Sequence, residues 1–219
     1  MKPLLHVQKM LQAIYGLRVD AAIDDFLVTD RSLADRLHGV PSPRHCDEKL
    51  LVAADGADIA ISLFLDEQVL RRLDADRPAT RLGEHNLADF CTALEGVSHF
   101  LYVAVRAGQN RSVSLLELEL QAEVDKYVGI HATLRSQGRA VAPRNLLTRL
   151  FHHFRFAAGM SIEERARYAG ANRYAQRYCG HLERRFMDHS PVALMAELRH
   201  FYHLAHFEKL RHIEAVSAA

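Results

Sequence analysis

The segment from Leu87 to Val105 constrains this chain most. Laid out at about 100° per residue, Leu87, Phe90, Leu94, Val97, Phe100, Leu101, Val103, Ala104 and Val105 cover an arc of roughly 200°. A helix with so wide an apolar arc has to be buried on more than one side. It therefore requires neighbours, and the rest of the sequence supplies them. Ser114 and Glu117 have the spacing of a capping box, which starts a second helix running to about Leu134. The connection between the two is short, so the spacing predicts an antiparallel helix hairpin.

Four polar residues interrupt the first helix of this pair. Glu95, His99, Tyr102 and Arg106 are separated by 4, 3 and 4 residues, which places them within about 40° of one line. On the second helix Leu116, Leu120, Val124 and Tyr127 define the apolar face, with Glu123 inside it and Glu119 at its edge. Pairing the helices outward from their turn puts Glu95 near the level of Glu123 and His99 near Glu119. Carboxylates and a histidine on facing helices are a ligand set for iron, manganese or zinc, with Arg106 available to orient an anionic substrate. The spacing Glu-x-x-x-His differs from the Glu-x-x-His of di-metal carboxylate bundles. The alternative reading makes the stripe the solvent face of its helix, with Arg106 and His99 ion-paired to Glu119 and Glu123 and with Glu123 bonded to Lys126. On that reading no cofactor is expected.

Upstream the pattern changes. "PLLHVQKMLQAIYG" reads as an amphipathic helix closed by Gly16. "DEKLLVAADGADIAISLFLD" contains two β-prone runs around Asp55-Gly56, with Ile59, Ile61, Leu63 and Leu65 alternating, and predicts a hairpin. A lone hairpin is marginal in water, so a third strand is expected, best placed at Phe26 to Thr29. Asn86 is the expected N-cap of the Leu87 helix. Downstream of "SQGRAVAPRN", which reads as a linker, the chain is helical: "LLTRLFHHFRFAAG", a helix starting at Ser161 with a continuation or partner from Ala171 to Phe186, and a last helix opened by Ser190-Pro191.

The fold class that follows is α+β and mainly helical, with a small antiparallel hairpin or three-stranded sheet near the N-terminus followed by a helical bundle. Residues 1–134 carry 14 Lys and Arg against 20 Asp and Glu, whereas residues 135–219 carry 14 against 7 and hold 8 of the 14 histidines. The expected organisation is an acidic α+β part and a basic helical part, packed into one globular unit. No apolar run approaches the ~20 residues that cross a bilayer, and Cys46, Cys91 and Cys179 contain no CxxC. A soluble, cytoplasmic chain with reduced cysteines is expected.

In the basic part, Arg173, Arg177 and Arg184 share one face of "ANRYAQRYCGHLERRF", opposite Ala171, Tyr174, Tyr178 and Leu182. Arginines at this spacing suit an anionic ligand or an acidic protein surface, or the phosphates of a nucleic acid. "FHHFRF" has the composition that stacks on single-stranded bases, and equally that of a helix packing Phe151 and Phe154. His200, His203 and His206 fan over about 120° and read as the polar flank of a core helix. Cys46 beside His45 and Cys179 two residues before His181 are nucleophile pairs only if the fold aligns them. No Walker loop, GxGxxG, GxSxG, HExxH or CxxC occurs. The sequence thus points first to a non-catalytic binding or regulatory protein that engages an anionic partner through its arginine-rich helices, and second to a metal-dependent enzyme. A nucleic-acid-binding protein is the third reading. Self-association is open, and no membrane partner is expected.

Overall fold

The computed structural model describes residues 2–39, 46–55, 58–139, 146–152, 159–187 and 190–217. Two compact units emerge: residues 1–10 with 18–112, and residues 11–17 with 113–219. Helix α1 (Pro3–Tyr15) contributes to both, Leu4 and Val7 being buried in its first part and Leu11, Ile14 and Tyr15 in its last. Gly16 ends it at φ +69°, as the glycine stop requires.

In the first unit, a 3-10 turn at Ile23–Phe26 leads into β1 (Leu27–Val28), α2 (Arg31–His38), the hairpin β2 (Glu48–Asp55) and β3 (Asp58–Leu65), α3 (Glu67–Asp76) and α4 (Leu87–Ala107). The buried Gln8 of α1 fixes the entry to the sheet, donating to the Ala21 carbonyl at 2.7 Å and accepting from the Ile23 N–H at 2.9 Å. Side-chain caps start α2 and α3, where Asp30 accepts from the Leu33 N–H and Asp66 from the Gln68 N–H. The hairpin pairs from Glu48 opposite Leu65 to Asp55 opposite Asp58. The expected Asp55-Gly56 turn falls on residues 56 and 57, which lie outside the described residues.

The third strand falls inside the expected Phe26–Thr29 window, but the sheet is mixed rather than antiparallel, with order β1-β3-β2 and β1 parallel to β3. The reason is the route of the chain. After β1, helix α2 brings the chain back so that β2 runs opposite to β1, and the hairpin reverses it again. Leu63, Phe64 and Leu65 are all buried because the sheet is covered on both faces. Phe64 packs with Leu51, Ala34 of α2 and Val28. Leu63, on the opposite face, lies under Gly96 of α4, where a Cβ would stand 2.9 Å from a Leu63 methyl and 2.9 Å from Glu48 Cγ.

In the second unit, α5 (Leu115–Ser136) is followed by a π-helical turn at Thr148–His152, then α6 (Ile162–Leu182), which continues as a π-helical segment at Glu183–Met187, and finally α7 (Pro191–His203) and α8 (His206–Ser217). Ser161 and Glu164 form a full capping box at the start of α6. The expected continuation from Ala171 is therefore the same helix. Ser190 caps α7 as expected, but the last helix is two, because the chain turns extended at Leu204 and α8 restarts after Ala205. Small residues Ala171, Ala175 and Cys179 recur every four residues on α6, all fully buried, which lets α5 pack closely against it. Tyr178 stacks on Phe201 with ring centroids 3.9 Å apart. Among the described residues, no helix is long and apolar enough to cross a membrane.

Candidate functional site

The polar stripe of α4 is buried, which corrects its reading as a solvent face. His99 is 5 % exposed, Tyr102 0 % and Arg106 1 %, while Glu95 is half-buried. Arg106 donates to the Tyr102 hydroxyl at 2.6 Å, with its guanidinium 4.8 Å from the centre of the same ring. It is thus buried rather than displayed at the surface. His99 Nδ1 lies 3.3 Å from a Glu48 carboxylate oxygen. Glu48 was not a sequence candidate. The available signal was Gly96, a glycine in an otherwise apolar helix, which marks a close approach by another element. Asn86 holds the N-cap position of α4, as expected, but its side chain makes no capping bond to the helix. Its side chain instead ties the preceding loop, accepting from Gly83 N–H and donating to the Arg81 carbonyl, both at 2.9 Å.

The four metal-ligand candidates fall two and two, with Glu95 and His99 in the first unit and Glu119 and Glu123 in the second. Glu123 bonds Lys126 at 2.7 Å, as its i,i+3 spacing implied. Helix α5 is more polar inside than its periodicity suggested: Glu117, Glu119, Gln121, Glu123 and Asp125 are all less than 9 % exposed. Around Asp125 a buried chain of groups connects four elements of the second unit. Tyr15 donates its hydroxyl to Asp125 Oδ1, and the Gln121 amide donates to the same oxygen at 2.8 Å. The Lys209 ammonium donates to Gln121 Oε1 and sits 4.2 Å from the centre of the Phe201 ring. Burial first, then the Asp125 charge, pushes the Tyr15 hydroxyl well above the ordinary tyrosine range.

Cys179 is fully buried, and burial followed by the charges of Glu123, Asp125 and Glu183 raises its thiol well above the usual range. A thiol held neutral is no nucleophile, so pairing Cys179 with His181 fails. His45 and residues 153–156 of "FHHFRF" lie outside the described residues. His200, His203 and His206 meet different partners: His200 faces His212 at 5.3 Å, His203 meets Tyr202 edge-on, and His206 bonds the Ser114 hydroxyl at 2.8 Å.

The arginine stripe of α6 divides. Arg177 and Arg184 line one cleft of about 550 Å³ with Leu147, Thr148, His152, Gln176 and Gly180. Arg173 does not line it and lies beside the Tyr174 ring. Gln176 and His152 hydrogen-bond at 2.6 Å across the cleft wall, and Arg184 Nη1 would stand 3.4 Å from a Cβ at Gly180, so its guanidinium lies over that glycine. Thr148 and His152 belong to one π-helical turn and Arg184 to the other. Such turns are rare and concentrate at functional sites. The second half of the molecule thus offers two fixed-charge donors, an amide, an imidazole and a hydroxyl in one concavity. Compared with protein-family models, with curated proteins and with solved structures, the chain matches none.

Proposed function

We propose that the protein is a non-catalytic binding protein whose second unit grips an anionic group, a phosphate or a carboxylate of its partner or ligand, in the cleft of α6. The observation that carries this reading is that Arg177 and Arg184, seven residues apart, line the same cleft as His152 and Gln176, between two π-helical turns. Guanidinium groups are permanently charged and suit the planar, paired oxygens of such anions. The test is a nuclear magnetic resonance titration of the full chain with pyrophosphate. Saturable shifts are expected at the Gln176 and Gly180 amides, with affinity falling at least about tenfold in an Arg177→Glu, Arg184→Glu variant. Both arginines are exposed, so the variant is expected to keep its fold. Shifts that never saturate, or that persist in the variant, would remove the reading.

A second reading, metal binding around His99, is favoured by the Glu48 contact. A carboxylate on one imidazole nitrogen is the usual support of a metal-ligating histidine, and Glu95 stands one helical turn before it. Elemental analysis of chelator-free protein is the check. Near-stoichiometric iron, manganese or zinc that is lost in His99→Ala is the expected result on this reading, whereas equal metal in both proteins rules it out.

A further inference from the structure

The first unit has a pocket of its own, of about 410 Å³, unrelated to the arginine cleft. Its floor is apolar, made by Val7 of α1, Leu73 of α3 and Phe90 and Ala93 of α4, all buried. Its rim is polar, with His6, Asp74, Arg77 and Thr80. The volume falls at the small end of the range for ligand pockets, and an apolar floor with a few placed polar groups is their usual composition.

Arg77 carries the argument further. It ends α3 in the left-handed conformation, φ 46° and ψ 62°, which a side chain rarely adopts and glycine adopts readily. The turn holds it there, because the Arg77 carbonyl accepts from the Thr80 N–H, the Arg81 N–H and the Thr80 hydroxyl. On a continuing helix Asp74 and Arg77, three residues apart, would be placed to form an ion pair. The left-handed residue takes Arg77 off that line. Among the described residues Asp74 and Arg77 make no ion pair, and both face the pocket. His6 is no second cation at neutral pH, since burial lowers its pKa below the ordinary 6.5. The rim thus presents one negative and one positive charge, both exposed and not paired with each other, over an apolar floor.

We propose that this pocket binds a free α-amino acid with an apolar side chain, its carboxylate on Arg77, its ammonium on Asp74 and its side chain on Val7, Leu73 and Phe90. A zwitterion is the ligand class that satisfies both charges at once, and the volume suits a single amino acid.

Calorimetric titration of the full chain with L-phenylalanine, phenylacetate and phenethylamine tests it. Saturable binding of phenylalanine is expected, with each analogue, lacking one charge, weaker by about tenfold or more. Arg77→Gly separates a ligand role from a structural one. Glycine relieves the left-handed residue, so the variant should melt at the same temperature or about 2 °C higher while losing phenylalanine affinity about tenfold. No saturable heat with phenylalanine at about 10 mM, analogues that bind as well as phenylalanine, or an Arg77→Gly protein with native affinity would each overturn the proposal.

Discussion

Asp125→Ala is expected to lower the unfolding free energy by about 3–5 kcal/mol, the cost of removing one partner from a buried charged network. The carboxylate is 1 % exposed and accepts from both Tyr15 and Gln121, and Gln121 in turn accepts from the fully buried Lys209 ammonium. Alanine strands the Tyr15 hydroxyl and one Gln121 proton away from water, and removes a negative charge from the network that holds Lys209. Asp125→Asn keeps an acceptor and should cost less. A double replacement, Asp125→Leu with Lys209→Met, should recover much of the loss, because apolar groups of similar size substitute well for buried charges. Urea denaturation followed by circular dichroism measures all three. A loss below about 1 kcal/mol in Asp125→Ala would show that the network contributes little. The same network gives a pH signature. Tyr15 has a folded pKa raised above its unfolded value of about 10, so its contribution is complete below pH 10 and is lost as pH rises from there toward the folded value.

Gly96→Val is the second large effect, expected at about 2–3 kcal/mol of destabilisation from overpacking. The new Cβ would lie 2.9 Å from Glu48 Cγ and from a Leu63 methyl, with the other Leu63 methyl at 3.2 Å. Leu63 is 0 % exposed and has no free space to turn into, so α4 must lift from the sheet. Lifting α4 also separates His99 from Glu48. Gly108, at the end of the same helix, has nothing closer than 3.5 Å to such a Cβ, and Gly108→Ala should be close to neutral. Comparable losses in the two variants would show that helix propensity, rather than the sheet contact, sets the effect at Gly96.

These two sites also mark the limits of reading the sequence by periodicity. The apolar arc of α4 announced burial on several sides, and Phe90, Leu94, Val97, Phe100 and Leu101 are buried accordingly. One of the two readings of the Glu95 to Arg106 line makes it solvent-facing, because polar residues usually are, yet His99 and Arg106 are buried with Glu48 and Tyr102 beside them. Tyr102 was within reach of the spacing argument and Glu48, 51 residues away, was not. On α5 the polar residues 121 and 125 lie one turn apart, and what makes them tolerable inside is Tyr15 and Lys209, 106 and 88 residues from Gln121. Local spacing carries no trace of such partners. The third strand was legible from β-branched composition at Phe26–Thr29, whereas its parallel direction depended on where α2 returned the chain. For the arginines, helical spacing grouped Arg173, Arg177 and Arg184. The structure keeps Arg177 and Arg184 at the cleft and leaves Arg173 outside it, beside the Tyr174 ring.

The way α1 is shared has a consequence for how the chain is made. The second unit takes residues 11–17 from the start of the sequence and everything else from residue 113 onward. Tyr15 is synthesised long before its acceptor Asp125 exists, and Ile14, whose carbonyl accepts from Arg199, waits longer still. Leu11, Ile14 and Tyr15 are all buried at the end, so an apolar patch stays uncovered through most of translation. A ribosome making this protein completes the second unit only after Asp125 and Arg199 have emerged. A fragment beginning at residue 113 lacks a piece of its own core.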